Sequence, residues 1–438
     1  MPDNPNPTFY ALTISRQHVA RVEKKIQSYL GEEKGGILKP IQLNKYVIVR
    51  SALKAMRPKH DSVPAMLDFL RKLPNVIQVQ PLTGKQLRDQ YAAGLLDPDD
   101  PEADADLPDD GIPQHLIFVK AKAAWDFLEE QGRADALTEI EVAHLDTGIT
   151  RHPVFGRWKD GRTATIRPDL GINYIDRGGA PFDPVATNYA GQRGHGTKTA
   201  SVLAGMAPRA LYGMARGVTL IPYRVTNTSV IDTFADTPID RALDHAWSAN
   251  GCRVASISLG DPCSPSPRTA RAIEEAYRRG MIVVAAAGNV TAEVTFPGSH
   301  PCTVTAGGVN LDSTPWAGGS RGAMVDLCAP ASSILRAETV VFDLKDKYAY
   351  GHQGDGTSYA TALVAGAAAL WLARWGTDAL DAKYGGWRTV EAFRAAVKGA
   401  ARKPQGWNSN KFGAGILDAE ALLRAGLPDP ATLKPRLA

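Results

Sequence analysis

Cysteine is scarce in this chain. Its 438 residues include four, Cys252, Cys263, Cys302 and Cys328, and no two form a Cys-x-x-Cys pair. That spacing signals neither a zinc site nor a redox motif, so the four read as reduced, mostly buried thiols, with one disulfide as the alternative. Charge of one sign is missing too: 50 Lys and Arg stand against 46 Asp and Glu, for a net charge of +4. Composition therefore makes no case for a nucleic-acid or membrane partner. No apolar run is long enough to span a bilayer; the longest, Thr361 to Leu372, is broken by Gly366. The opening residues, Met-Pro-Asp-Asn-Pro-Asn-Pro-Thr, carry neither the basic nor the apolar region of a secretory leader. A cytoplasmic location is expected from this, and a secreted one if a leader has been removed.

What is present is ordinary soluble-protein composition, 44% hydrophobic and 22% charged, at a length that suits two domains. After a Pro- and Asn-rich start, strand patterns at Phe9–Ile14, Tyr46–Val49 and Asn75–Val79 alternate with amphipathic helical patterns at Gln17–Leu30 and Val63–Leu73. This predicts a small α/β plait, ferredoxin-like, over residues 1–83. Residues 84–113 then read as a linker. Their stretch from Asp97 to Gly111 is acidic, Pro-rich and without periodicity, which suits an exposed segment open to proteolysis.

From residue 114 to 438 the pattern is that of an α/β domain, a mostly parallel sheet with helices on both faces. Helix Lys120–Glu130 precedes strand Ile140–Leu145. Strand Thr219–Val225, helix Ile239–Ala249, strand Val254–Leu259, helix Arg268–Arg279 and strand Ile282–Ala287 follow. In such sheets chemistry collects at the carboxyl ends of the strands. Asp146 stands at one of those ends and Asn289 just beyond another. His195 directly after Gly194, and Ser358 two residues after Gly356, each open a helix-forming run, and the run after Ser358 is apolar enough to be buried all round. Ser358 alone could simply cap its helix. A hydroxyl at a helix N-terminus also suits attack on a carbonyl, since the dipole favours developing negative charge there, and a strand-end amide such as that of Asn289 could donate to the oxyanion. Asp-Thr-Gly is also the signature of aspartic proteases, but those need two such acids and Asp146-Thr147-Gly148 occurs once. Neither His-Glu-x-x-His nor a phosphate-loop motif is found, which removes metalloprotease and nucleotide-binding readings.

Taken in order, Leu145-Asp-Thr-Gly-Ile149, Gly194-His-Gly-Thr197, Ser256-Ile-Ser-Leu-Gly260, Ala285-Ala-Ala-Gly-Asn289, Phe296-Pro-Gly298, Val325-Asp-Leu-Cys-Ala-Pro330, Gly356-Thr-Ser-Tyr-Ala360 and Phe412-Gly-Ala-Gly-Ile-Leu-Asp-Ala419 resemble the subtilisin-like serine proteases, the subtilases. The chain order Asp, His, Ser separates this class from the chymotrypsin and α/β-hydrolase types. The resemblance implies a serine endopeptidase acting on polypeptide substrates, with Ser358 as nucleophile, His195 as general base and acid, and Asp146 orienting the imidazole. Asn289 and the Ser358 N–H would form the oxyanion hole, and Ser258, Leu259 and Gly260 an exposed strand edge on which substrate lies. No cofactor and no metal are expected. By the same resemblance residues 1–83 are a propeptide that would inhibit the enzyme intramolecularly, Val76–Pro81 matching its tail, with self-cleavage between Gln80 and Gln114.

Three departures from the family pattern bear on function. Ala362 stands where a proline is usual, which predicts a more regular helix. His152-Pro153-Val154 lacks the acid that often serves a calcium site, and Gly205–Gly217 lacks an Asn/Asp-rich calcium loop, so calcium dependence is not expected. Glu293, with Asp232 or Asp236 on the facing loop, would favour basic residues if it borders the specificity pocket, or would simply be solvated. Two alternatives to a self-processing zymogen are a partner-activated protease of narrow substrate range and a protease-like module that holds peptides without cutting them.

Overall fold

The computed structural model describes residues 112–437 apart from 177–178, 185–193, 208–210, 230–237, 262–265, 290 and 343–344, together with four N-terminal strands, helical positions 22, 24–26, 28, 69, 70 and 72, and residue 73. The chain divides into two compact units, Met1–Leu96 and Asp97–Ala438. The division falls inside the stretch expected to be a linker, most of which lies outside the described residues.

In the first unit, β1 (Phe9–Ile14), β2 (Leu38–Gln42), β3 (Lys45–Ile48) and β4 (Val76–Leu82) form one sheet in the order β2-β3-β1-β4. Every neighbouring pair is antiparallel. Strand β2 is the one not expected from sequence. Its Pro40 interrupts the alternation that marks a strand, and β2 lies at the sheet edge, where proline is tolerated. Val22, Ile26, Leu70 and Leu73 are buried while Lys24, Lys25 and Lys72 are exposed, as amphipathic helices require. The segment Val76–Pro81 belongs to edge strand β4 and pairs with β1.

The second unit is built on a six-stranded sheet whose strand pairs are all parallel. Its strands are β5 (Glu141–Asp146), β8 (Thr219–Arg224), β9 (Val254–Ile257), β10 (Ile282–Ala286), β11 (Val304–Val309) and β12 (Leu327–Pro330), in the order β12-β11-β10-β9-β5-β8. Between β5 and β8 comes a short ribbon, β6 (Met206–Ala207) and β7 (Leu211–Tyr212). After β12 an antiparallel hairpin, β13 (Ile334–Phe342) and β14 (Lys345–Gly354), leads towards Ser358. β10 is buried at every position, which is why Ile-Val-Val-Ala-Ala reads as an unbroken apolar run: both faces are covered.

The helices are α1 (Gln114–Phe118), α2 (Ala121–Glu130), α3 (His195–Ala204), α4 (Ile239–Ser248), α5 (Pro267–Arg279), α6 (Thr357–Trp375), α7 (Thr377–Lys383), α8 (Trp387–Ala400), α9 (Ser409–Phe412) and α10 (Ala419–Arg424). α5 shows how locally its ends are set. The Ser266 hydroxyl accepts from Thr269 N–H, Pro267 takes the first helical position, and Gly280 ends the helix at φ 90°. α6 is the central element, packed on β9 to β12 and beside α3. All its residues from Thr357 to Ala373 are buried, so it has no polar face. It runs 19 residues without a break through Ala362. Gly366 interrupts its apolar sequence because a side chain there would lie 2.6 Å from Met214 Cβ. Among the described residues no helix is long and apolar enough to cross a membrane, and Cys252, Cys302 and Cys328 are buried free thiols.

Candidate active site

Asp146 is the last residue of β5, His195 the first of α3 and Ser358 the second of α6, so a strand end and two helix N-termini deliver the three side chains to one place. His195 Nδ1 lies 2.7 Å from Asp146 Oδ1, and His195 Nε2 lies 3.2 Å from Ser358 Oγ. Ser358 does not cap its helix. The N-cap is Gly356, which has no side chain to do so. The serine hydroxyl is therefore free to face the imidazole, with Ser258 O as its other acceptor at 3.3 Å.

Burial pulls Asp146 upward in pKa, but the His195 charge and hydrogen bond, helped by His144 and the Thr147 N–H, outweigh it and hold the carboxyl below its usual range. Asp146 is wholly buried, whereas His195 retains some exposure. Thr147 N–H donates to Asp146 Oδ1 at 2.7 Å. The Thr147 hydroxyl donates to Asp183 Oδ2 at 2.6 Å and accepts from Gly196 N–H at 3.1 Å, tying the loop after β5 to the first turn of α3. Burial, with the nearby Asp146 charge adding to it, raises the Asp183 carboxyl to about 6.

A threonine cluster locks the same corner from the other side. Thr150 Oγ1 lies 2.9 Å from Thr197 Oγ1 and 2.7 Å from Thr339 Oγ1, so the β5 loop, α3 and hairpin strand β13 meet on three hydroxyls. His152 is buried nearby, its Nδ1 accepting from Val154 N–H at 3.0 Å and its Nε2 3.0 Å from Ala349 O. Because Nδ1 accepts, the ring proton sits on Nε2 and donates to that carbonyl.

Asn289, just past β10, is exposed, and its Oδ1 accepts from both the N–H and the hydroxyl of Thr357. With Oδ1 so occupied, Nδ2 is left to donate. Gly356 has φ +150° and a side chain there would come within 3.3 Å of Asn289 Nδ2, so glycine is what leaves that amide clear. Gly354 serves packing instead: a side chain on it would meet Arg336 Cδ at 2.7 Å and Tyr359 at 2.9 Å.

The segment Ser258–Gly260 differs from the open edge expected from sequence. Ser258 and Leu259 are buried and only Gly260 is partly exposed. Ser258 Oγ donates to Ser358 O at 2.9 Å, and Gly260 N–H donates to Ser229 O at 3.1 Å. The reason is that this stretch is packed against α6 and paired to its neighbours. Glu293 is exposed, whereas Asp232 and Asp236 lie outside the described residues. Sequence reading passed over Thr147, Asp183, Thr357, His144 and Thr199. Of these Thr147 and Thr357 lay inside the quoted motifs, and His144 carried a signal as a polar residue inside an apolar stretch of strand.

An acid, an imidazole and a hydroxyl in line, at the carboxyl end of a parallel α/β sheet and in the chain order Asp, His, Ser, define the class of serine proteases built on a subtilisin-like fold. The model of the subtilase family, peptidase S8, matches residues 138–415, more than half of the chain. Subtilisin Savinase of Lederbergia lenta is 31% identical over 315 residues, which cover 72% of this chain and 99% of that protein. Subtilisin E of Bacillus subtilis (strain 168) is 30% identical over 270 residues, 60% of this chain and 61% of its own. The crystal structure of MycP1 with its N-terminal propeptide removed superposes with a TM-score of 0.53 at 21% identity, covering 72% of this chain and 99% of that one, and supports the fold. The chain belongs to the subtilase family and is a subtilisin-like serine endopeptidase acting on polypeptide substrates.

Proposed function

We propose that Asp146, His195 and Ser358 are the catalytic triad of a peptide-bond hydrolase that works through an acyl-enzyme. The observation that carries this reading is His195 bridging the other two, Nδ1 to Asp146 at 2.7 Å and Nε2 to Ser358 Oγ at 3.2 Å. Ser358 Oγ attacks the scissile carbonyl carbon as its proton passes to His195 Nε2. The carbonyl oxygen becomes an oxyanion, which Asn289 Nδ2 and the Ser358 N–H stabilise. His195 then protonates the leaving amine, the C–N bond breaks, and an ester to Ser358 remains. Water attacks that ester with His195 as base, releasing the acid and returning the proton to Ser358. Asp146 fixes the tautomer and balances the imidazolium charge throughout.

Substrate would lie along Ser258, Leu259 and Gly260, whose exposed part is Gly260. Using the Gly260 N–H for substrate requires releasing it from Ser229 O, so binding on this edge involves an exchange of hydrogen-bond partners.

The first unit is proposed to be a propeptide that inhibits the second. Its position ahead of the protease, its compact four-stranded sheet and the propeptide named for MycP1 support this. The test is a fluorophosphonate probe followed by intact-mass measurement of wild type and Ser358→Ala. Expected are labelling of wild type alone and cleavage between Gln80 and Gln114 that the variant lacks. A wild-type chain freed of its first unit that still takes no label would overturn the triad assignment, and an intact chain would overturn self-processing alone.

A further inference from the structure

His144 is a polar residue set among the apolar Val142, Ala143 and Leu145 of β5, and it is buried behind the carboxylate that His195 faces. Its Nε2 lies 2.9 Å from Thr199 Oγ1. Thr199, on the second turn of α3, is wholly buried and places its hydroxyl 3.2 Å from Asp146 Oδ2, the carboxylate oxygen that His195 does not use. The direct separation of His144 Nε2 from Asp146 Oδ2 is 3.9 Å. Among the described residues Thr199 is the only hydrogen-bond donor to Asp146 Oδ2.

The proton positions follow from what is left unpaired. His144 Nδ1 has no hydrogen-bond partner among the described residues. An unpaired buried N–H is rarer and more destabilising than an unpaired lone pair, so the ring proton belongs on Nε2, where it donates to Thr199 Oγ1. Thr199 then has one proton and three acceptors at 3.2 Å, namely Asp146 Oδ2, His195 O and Gly196 O. Only the carboxylate is charged, and charge-assisted bonds are about twice as strong as neutral ones.

We propose that His144 and Thr199 are a positioning pair for Asp146, in which the line His144 Nε2–H to Thr199 Oγ1–H to Asp146 Oδ2 fixes the carboxylate's rotation and tempers its basicity towards His195. The ring acts as a neutral donor. Burial lowers its pKa, Asp146 opposes that shift and His195 reinforces it. The strand neighbours in register with it, Pro222 and Ser256, bear no charge. Neither residue touches the reacting atoms. Their effect passes through Asp146, because a carboxylate deprived of one donor concentrates its charge on the oxygen facing the imidazole and holds the imidazolium more firmly.

The inference rests on the triad assignment above. It is tested by kcat, KM and the pH profile of kcat/KM for wild type, Thr199→Val, Thr199→Ser, His144→Val and the double variant His144→Val/Thr199→Val, with rates expressed per fluorophosphonate-titrated site. In Thr199→Val, kcat should fall about tenfold at unchanged KM, and the acid limb should move up by about half a pH unit. Thr199→Ser, which keeps the hydroxyl, should restore both. The double variant should match Thr199→Val, since His144 acts only through Thr199. A wild-type acid limb in Thr199→Val, failure of Thr199→Ser to rescue, or additive effects in the double variant would each overturn the proposal. Titration counts only competent sites, so partial misfolding does not imitate the effect. A wild type freed of its first unit that still takes no probe overturns the triad assignment itself and the pair with it.

Discussion

Thr357 bonds Asn289 twice. Its N–H and its hydroxyl both reach Asn289 Oδ1, at 2.9 and 2.8 Å, while the same hydroxyl accepts from Gly288 N–H at 3.1 Å. The residue beside the proposed nucleophile therefore decides which way the amide at the end of β10 faces. Because Oδ1 is saturated by these donors, Nδ2 is the atom available to an oxyanion.

From this, Asn289→Ala should lower kcat by 10²- to 10³-fold, about 3 kcal/mol, with KM little changed. Thr357→Val removes one of the two bonds and frees the Gly288 N–H, so kcat should fall by less than in Asn289→Ala. Steady-state kinetics on a peptide amide reads both, and an Asn289→Ala effect carried by KM would argue against the oxyanion role.

Asp146→Asn keeps the shape of the site but offers His195 an amide in place of a carboxylate, which favours the wrong tautomer. A loss of about 10⁴ in kcat is expected. Circular dichroism should match wild type, so the loss would be chemical.

Gly196 is where α3 passes closest to the β5 loop. A side chain there would sit 2.0 Å from Gly148 O and 3.2 Å from Asp146 Cβ. Gly196→Ala should therefore lower both the melting temperature and the activity. Gly399 lies in α8 with nothing within 4 Å of the added carbon, and Gly399→Ala should raise stability by up to about 1 kcal/mol without touching activity. Thermal unfolding of the two variants makes the comparison.

Arg394 is buried between two acids. It pairs with Asp326, lies 3.2 Å from Glu391 and donates to Thr303 O at 2.8 Å. Arg394→Met leaves Asp326 to Lys398 at 3.3 Å and Glu391 to Arg436 at 3.6 Å, both partly exposed cations, and should destabilise the protein by about 3 kcal/mol. Denaturant unfolding checks the figure, and a loss under about 1 kcal/mol would mean that Lys398 and Arg436 suffice for the two acids.

Asp183 gives a pH signature. Its carboxyl is raised to about 6 in the folded protein against about 3.9 unfolded. Between those values the folded chain holds a proton that the unfolded chain has lost, so this group's contribution to stability falls as pH rises from about 4 to 6. Asp183→Asn removes the charge and still accepts from Thr147. It should be more stable than wild type above pH 7, by up to about 3 kcal/mol, and little different near pH 4. Melting curves across that range would show the gap opening with pH, and a constant gap would contradict the linkage.

Much of the catalytic unit was legible because its signals are local. The run Ile-Val-Val-Ala-Ala, the Ser266-Pro267 start and Gly280 stop of α5, and the glycine before each of His195 and Ser358 act within a few residues of themselves. The strands and helices expected from sequence in that unit, from Lys120 to Ala287, agree with the observed elements to within a residue or two. Strand β2 escaped because Pro40 broke its pattern. Hairpin β13–β14 escaped because its pairing is decided by the partner strand.

Sequence by itself determined the family, the layered α/β class of the protease unit and the chain order of the residues now proposed for catalysis. Each rests on short motifs whose chemistry is carried by adjacent residues. Tertiary structure alone decided that Ser358 faces His195 with no capping role, that Ser258 and Leu259 are covered, and that Thr357, Thr147 and the His144–Thr199 pair orient their neighbours. Those relations join atoms far apart in the chain, and a hydrogen bond has no sequence signature when its donor and acceptor meet only after the sheet and helices have closed around them.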